Sequence, residues 1–257
     1  MDGVAVLVNC TLSGNSAAYD GGGSFYDGLI NCVVYCNTAS TANSNYFGGI
    51  YEHCCMAPLP AGEGNIASPP QFLDPASSNF HLAYGSPCID SGNNLPGITD
   101  DIEGTVRPLD GNFNGTPDFD MGAYEYNPAT ADSDGDTMFD NWEHRYGLNP
   151  TNPADAAIDS DSDTVLNKNE HTADTVPTNS ASVFRITGIG ETNSFSVIVG
   201  CTNSRVYGLQ FNADLLTGSW SAVEGQTNRP GEADGAMSLV DTNDAAHRAY
   251  RVGVGLP

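Results

Sequence analysis

Basic side chains are scarce in this 257-residue chain, which has 8 lysines and arginines against 32 aspartates and glutamates. The formal net charge is −24, and no lysine or arginine precedes Arg107. Nucleic acids and anionic membrane surfaces attract proteins through positive charge, so neither is expected as a partner. No apolar run approaches the roughly 20 residues that a membrane helix needs, so membrane insertion is not expected either.

Common targeting and zinc-binding signatures are also missing. The segment after Met1 lacks the charged start and the length of a secretory signal peptide, so an exported parent chain is expected to carry its signal upstream. The seven cysteines include no CxxC pair, and the histidines show no HxH or HExxH spacing. These absences argue against zinc.

The residues that are plentiful favour strands and turns. The chain has 29 glycines, many asparagines, serines and threonines, and aspartates that cluster at turns. Hydrophobic residues make up 39% of the chain, which distinguishes it from a disordered acidic tail. The composition therefore predicts an all-β protein with many turns.

Two acidic twelve-residue loops carry the most specific chemistry. Each loop places side-chain oxygens at positions 1, 3, 5, 9 and 12, with glutamate at position 12, which is the spacing that surrounds Ca²⁺ with six to eight oxygens. The first loop offers Asp132, Asp134, Asp136, Asp140 and Glu143, with the carbonyl of Met138; the second offers Asp159, Asp161, Asp163, Asn167 and Glu170, with the carbonyl of Val165. We predict that both bind Ca²⁺ in a structural role.

Position 6 of such loops is usually glycine, because the sharp turn needs a positive φ. Here it is Thr137 and Thr164, so a weaker or altered loop is expected. A third candidate has glycine at position 6 but Met121 at position 12. The neighbouring Asp120 could replace the position-12 ligand only if the loop followed a different path around the ion. The oxygen donors of this candidate are Asp110, Asn112, Asn114 and Asp118. The alternative interpretation of this third segment is an Asx-rich turn.

A repeat of 22 residues appears near the start of the chain. Cys10, Cys32 and Cys54 are spaced in this way, as are Asn15 and Asn37. Such a period with β-rich units is typical of one coil of a parallel β-helix, in which equivalent residues stack as ladders about 4.8 Å apart. We expect the cysteines to point inward and the asparagines to share hydrogen bonds at turns.

Residues 9–126 resemble the C-terminal ends of bacterial right-handed parallel β-helix proteins of the choice-of-anchor type. The motifs that carry the resemblance are Asn9–Ala17, Gly64–Ile66, Pro70–Phe72, Phe80–Leu82, Ser86–Gly92 and Asp120–Glu125. The resemblance implies coils over 1–62 and a cap over 63–126 that ends the stack, with no catalytic function. We expect further coils upstream in a longer parent chain.

The rest of the chain resembles two other kinds of module. Residues 127–181, with the two loops, resemble thrombospondin type 3 repeats and more loosely dockerin loops, which implies a calcium-binding connector. A short helix is expected near Asn141–Tyr146, ended by Gly147. Residues 182–257 are similar to C-terminal modules of secreted bacterial proteins and predict a small antiparallel β-sandwich. Its expected strands are Val183–Thr187, Phe195–Val199, Val206–Phe211, Trp220–Val223, Met237–Val240 and Ala249–Val254.

Catalysis within this chain is not expected. A lyase on the coils would need a basic residue, and Arg107, the first one, lies in the expected cap, where we expect it to pair with Asp90, Asp100, Asp101 or Glu103. The sequence instead favours a non-enzymatic, calcium-stabilised extracellular or cell-surface protein that is adhesin-like or glycan-associated. Its expected partners are an extracellular glycan or cell-surface protein and the upstream coils. The alternative is a non-catalytic C-terminal part of a polysaccharide lyase or glycoside hydrolase.

Two further questions stay open in the sequence. Cys54 or Cys55 could bridge Cys88 and tie cap to coils, or all three could be buried free thiols. Aromatic side chains of the coils could stack on sugars or could be ordinary strand residues. These aromatic residues are Tyr19, Phe25, Tyr26, Tyr35, Tyr46, Phe47 and Tyr51.

Overall fold

The structure is a computed structural model, and it describes residues 6–257 apart from 42, 192–193, 217, 234 and 244–247. The chain divides into two compact units, Met1–Ser133 and Asp134–Pro257. Strands dominate the described residues and helices are few, so the predicted all-β class is confirmed at that level.

The first unit begins with short strands that pair in parallel with strands about 22 residues further along the chain. Val6 pairs with Gly28 and Gly28 with Ile50, while Thr11 pairs with Val33 and Val33 with Cys55. Four such stacks arise, β1-β5-β9, β2-β6-β10, β3-β7 and β4-β8. The strands are β1 Val6–Val8, β2 Thr11–Ser13, β3 Ser16–Ala17, β4 Ser24–Phe25, β5 Gly28–Ile30, β6 Val33–Tyr35, β7 Thr38–Ala39, β8 Tyr46–Phe47, β9 Ile50–Glu52 and β10 Cys55–Met56.

The predicted ladders follow from this register. Cys32 and Cys54 are fully buried with Leu29 and Met56. The backbone N–H of Cys10 donates to the sulfur of Cys32, and that of Cys32 donates to the sulfur of Cys54, both at 3.4 Å. At the turns, Asn37 Oδ1 accepts hydrogen bonds from the backbone N–H and the side-chain amide of Asn15. Equivalent side chains therefore satisfy one another from repeat to repeat.

The remainder of the first unit is a hairpin followed by irregular chain. The hairpin pairs β11 Phe72–Asp74 with β12 Asn79–Leu82 across the 3-10 turn Pro75–Ser77. Arg107 makes a buried ion pair, as predicted, but its partner is Glu125, with 3.3 Å between Nε and Oε2, and none of the four expected acids. Its guanidinium also donates to the carbonyls of Asp120 and Gly122.

The second unit contains two antiparallel sheets that share one hydrophobic core. One sheet has the order β13-β14-β18; in the other, β15 pairs with β16, β17 and β19. The shared core includes Val197, Leu239, Tyr207 and Leu209. The strands are β13 Ile186–Glu191, β14 Phe195–Gly200, β15 Val206–Asn212, β16 Ser221–Ala222, β17 Arg229–Pro230, β18 Ala236–Asp241 and β19 Ala249–Gly255.

The sequence located most of these strands, with one offset and one omission. The first strand is Ile186–Glu191, whereas the predicted strand was Val183–Thr187. The prediction ended too early because glycine is uncommon inside strands, yet Gly188 and Gly190 both pair with β14. Strand β17 was not predicted, since Arg229–Pro230 is short and contains a proline.

The helices of the second unit lie between residues 140 and 173. Helix α1 is Asp140–Tyr146, helix α2 is Asn167–Ala173, and a 3-10 turn covers Asp155–Ala157. The predicted helix is confirmed, and Gly147 ends it with φ +73°, a left-handed conformation that glycine adopts at low cost. Helix α2 was not predicted.

Candidate metal centre

Both acidic loops lead into a short helix in the same way. Asp140 and Asn167, the ninth loop positions, are the first residues of α1 and α2, and both are fully buried. The residues before them, Phe139 and Leu166, are extended and provide no side-chain cap. Each helix therefore starts where the loop turns inward, and it carries the position-12 glutamate one turn later.

The two loops also share their internal hydrogen bonds. At position 3, one carboxylate oxygen of Asp134 and of Asp161 accepts the N–H of position 5 at 3.2 Å. At position 5, one oxygen of Asp136 and of Asp163 accepts the N–H of position 7 at 2.8 Å. One oxygen of each carboxylate thus fixes the loop, and the geometry repeats although position 4 is Gly135 in one loop and Ser162 in the other.

Threonine does not prevent the sharp turn at position 6. Thr137 and Thr164 both have φ +81°, so both loops adopt the left-handed conformation that glycine usually provides. A β-branched residue in this conformation costs on the order of 1–3 kcal/mol and persists only where its surroundings impose it. The expected departure in loop geometry is therefore absent from the backbone of the described loops, although the conformational cost remains.

Two groups of three acidic residues in the second unit bring oxygen atoms within 4.8 Å of one another. One group is Asp136, Glu143 and Asp155; the other is Asp159, Asp161 and Asp163. Carboxylates at such distances repel strongly unless a cation or a proton lies among them. These clusters have the composition and spacing to hold a metal ion.

The position-12 glutamates are buried carboxylates with few hydrogen-bond partners. Glu143 and Glu170 are both fully buried. Among the described residues, neither oxygen of Glu143 has a hydrogen-bond partner. One oxygen of Glu170 accepts a hydrogen bond from the hydroxyl of Thr175, and the other has no partner among the same residues. Leaving a carboxylate buried without partners is costly, and a metal ion bound to these oxygens would offset that cost.

The pKa values of these glutamates reflect the same conflict. Burial, and then the charges of Asp136, Asp134, Asp155 and Asp140, raise the pKa of Glu143 to about 9. Burial is also the main cause that raises the pKa of Glu170 to about 7, with Asp161, Asp163 and Asp159 adding to it. A divalent cation at either site would reverse this balance and favour the charged form.

Asn167 and Asp155 are two further buried residues, each with one side-chain oxygen that has no described hydrogen-bond partner. The amide of Asn167 donates to the carbonyl of Asp155, which leaves its buried Oδ1 without a described partner. One oxygen of Asp155 accepts the N–H of Asn149, and the other has no described partner. Asp155 was missed by sequence reasoning because it lies outside both twelve-residue patterns, where no motif distinguishes it.

The other predicted ligands fall in the loops as follows. Asp132, the first predicted ligand of loop one, is the penultimate residue of the first unit. Met138 is fully buried against Trp142 and Ala156, and Val165 is half-buried. Whether the carbonyls of these two residues bind a metal stays a prediction.

The third candidate segment has the contacts of an Asx-rich turn. The carboxylate of Asp110 accepts hydrogen bonds from the backbone N–H groups of Asn114 and Gly115. The N–H of Asn114 also donates to the side-chain oxygen of Asn112. Asn114 in turn accepts the N–H of Thr116. The side-chain amide of Asn94 donates to Asp118, and both oxygens of Asp120 accept backbone N–H groups, from Asp90 and Tyr126. Metal binding at this segment stays a prediction.

Helix α2 is fixed to the C-terminal sheets by a buried arginine. Arg205 donates to the carbonyl of His171 at 2.6 Å and to that of Thr172 at 2.9 Å, and its guanidinium lies 3.6 Å from Asp174. His171, also buried, accepts the N–H of Phe139 through Nε2 and packs edge-on against Trp142. The first residue after the second loop, His171, therefore contacts residues of the first loop.

Comparisons with protein-family models, with curated proteins and with solved structures give no significant match to this chain. Among the described residues, no helix combines the length and the apolar character required to cross a bilayer.

Proposed function

We propose that this chain is a calcium-binding structural protein in which Ca²⁺ occupies the two acidic loops and stabilises the second unit. The observation that carries the proposal is the pair of fully buried position-12 glutamates, with three carboxylate oxygens that lack a described hydrogen-bond partner. The donor set is all oxygen, which favours a hard cation over zinc or copper. Flexible carboxylates in numbers that allow more than six ligands favour Ca²⁺ over Mg²⁺.

The wider context is part of the same proposal. The parallel stacks with their 22-residue register support coils of a right-handed parallel β-helix, capped by residues 63–126, and the two C-terminal sheets support a small β-sandwich. The strong negative charge and the acidic loops are suited to extracellular calcium concentrations, so we place the protein outside the cell or on its surface. We further propose an adhesin-like or glycan-associated role, with a non-catalytic C-terminal part of an extracellular polysaccharide lyase or glycoside hydrolase as the alternative.

Calcium binding is expected to change the fluorescence of Trp142, which is 8% exposed and lies beside Met138 in the small core next to loop one. In a Trp220→Phe background, adding Ca²⁺ to chelator-treated protein should shift the Trp142 emission, and excess chelator should reverse the shift. At a free Ca²⁺ concentration 100 times Kd, the free energy of unfolding should rise by about 2.7 kcal/mol for one site.

Mg²⁺ at the same concentration is the matched control, because its smaller octahedral shell fits these loops poorly. Native mass spectrometry then counts the bound ions. Unchanged emission, an unchanged melting temperature and no bound ion at millimolar Ca²⁺ would together refute the proposed function.

A group of exposed aromatic rings favours glycan association as a second function. Phe25 stacks on Phe47 with 5.6 Å between centroids, and Tyr26 meets both rings edge-on. Phe25 is 55% exposed and Tyr26 58% exposed. The Tyr26 ring lies so close to Gly48 that a Cβ there would be 2.6 Å from it, so the ring is held in place. Rigid exposed rings can stack on sugars.

The Phe25→Ala variant is expected to reduce binding of the chain to neutral polysaccharides by at least about 5-fold, since loss of one aromatic contact costs on the order of 1 kcal/mol. Neutral glycans are the expected ligands, because residues 1–106 provide no lysine or arginine for an anionic one. Tyr19→Ala, at a site 78% exposed, is the control in a glycan-array measurement. Equal binding by both variants would count against this surface.

A further inference from the structure

Two of the seven cysteines meet in the core of the first unit. Cys55 lies in β10, at the end of the parallel stacks, and Cys88 lies in the turn region after the hairpin. Both are fully buried in one cluster with Ile89 and Met121. The two side chains share this cluster closely enough for one thiol to influence the other, and all seven cysteines are free thiols in the structure.

The backbone decides which of the adjacent cysteines, Cys54 or Cys55, faces Cys88. Successive residues of an extended segment point to opposite sides. Cys54 belongs to the interior cluster with Cys32, whose N–H donates to its sulfur, while its own thiol donates to the carbonyl of Glu52. Cys55 points the other way, and its thiol also reaches the carbonyl of Ser68. Only Cys55 of this pair shares a cluster with Cys88.

We propose that Cys55 and Cys88 are a redox site of the first unit and form a disulfide in the presence of a thiol oxidant of the disulfide class. The bond would join the last parallel strand to the chain that follows the hairpin. The sequence left Cys54 and Cys55 open as partners, and the packing favours Cys55. This proposal does not depend on metal binding.

The chemistry balances with an ordinary disulfide oxidant. One cysteine, as its thiolate, attacks the oxidant and releases one small thiol. The second cysteine, as its thiolate, then attacks the resulting mixed disulfide and releases another. The two cysteines lose two protons and two electrons in total, and the oxidant is reduced to two thiols.

Because both thiols are buried in the folded chain, we expect the disulfide to form during folding and not afterwards. Interaction with the Cys55 thiol and then burial raise the pKa of Cys88 above its usual range, so the thiolate is scarce in the folded chain. Neither thiol is accessible to a bulky oxidant in that state. We therefore expect fast oxidation during refolding and slow oxidation of folded protein.

The test is refolding of the full chain in a buffer of oxidised and reduced glutathione, followed by alkylation in denaturant and peptide mass mapping. All variants carry Cys36→Ser, because Cys36 is exposed and would link separate molecules. The expected product is a chain lighter by two hydrogens, with Cys55 and Cys88 in one cross-linked peptide. Its melting temperature should exceed that of the reduced chain by several degrees, both in calcium and in chelator.

Three serine variants make the assignment decisive. Cys54→Ser and Cys201→Ser should retain the cross-link, and Cys55→Ser should abolish it while leaving the circular dichroism spectrum of the refolded chain unchanged. A cross-link that survives in Cys55→Ser overturns the proposal. So does complete alkylation of all the cysteines after refolding in oxidant.

Discussion

The Glu143→Gln variant is expected to be more stable than the unsubstituted chain in chelator and to lose most of its stabilisation by calcium. Without a metal, burial and neighbouring carboxylates raise the pKa of Glu143 from 4.5 to about 9. The folded state therefore retains a proton that the unfolded state releases between those pH values, and the free energy of unfolding falls as pH rises through that range. Glutamine removes this penalty, on the order of 3 kcal/mol at pH 7.

The same substitution removes the charged ligand at position 12, so calcium affinity at loop one should fall by more than about 10-fold. Chemical denaturation in chelator and in calcium, repeated across pH, measures both effects. Glu224→Gln is the matched control, because Glu224 is an exposed residue of the same unit outside both loops. If Glu143→Gln behaved as this control does under both conditions, the site at loop one would be wrong.

Removing the Arg107 side chain should produce a large loss of stability in the first unit. Arg107 and Glu125 form an ion pair whose side chains are both 0% exposed. In Arg107→Ala, the Glu125 carboxylate and the carbonyls of Asp120 and Gly122 lose their buried cation. Breaking a buried pair from one side costs about 3–5 kcal/mol.

A histidine–carboxylate contact in the same unit provides the comparison. His81 Nε2 lies 2.9 Å from Glu103, but these side chains are 40% and 56% exposed, so Glu103→Ala should cost less than about 1 kcal/mol. The double substitution Arg107→Met with Glu125→Met should recover much of the loss, because no uncompensated charge remains. Equal denaturation midpoints for Arg107→Ala and Glu103→Ala would contradict this account.

Features that depend on local spacing could be predicted from the sequence. The 22-residue repeat placed Cys32 and Cys54 in one buried column, because residues at equal positions in parallel strands must stack. The twelve-residue patterns located both loops, because ligand geometry is set within a few residues of chain. Gly147 marked the end of α1 for the same reason.

Features that depend on distant contacts could not be predicted. Asp155 joins Glu143 only after the intervening chain has folded back, and Arg205 reaches the end of α2 from the loop before β15. The partner of Arg107 was misassigned because nearby acids such as Asp101 and Glu103 are closer in sequence than Glu125. Sequence proximity says little about which carboxylate shares a buried space with a given cation.

The hydrogen bonds of Arg205 to α2 also bear on how readily a protease could cleave this segment. Glu170 and the carbonyls that Arg205 holds lie within one turn of the same helix. An ion bound to Glu170 would therefore stabilise the same helical turn that Arg205 joins to the C-terminal sheets by hydrogen bonds. A helix held in this way could not easily unfold into the extended form that a protease cleft accepts, so cleavage within α2 should be slow while the ion is bound.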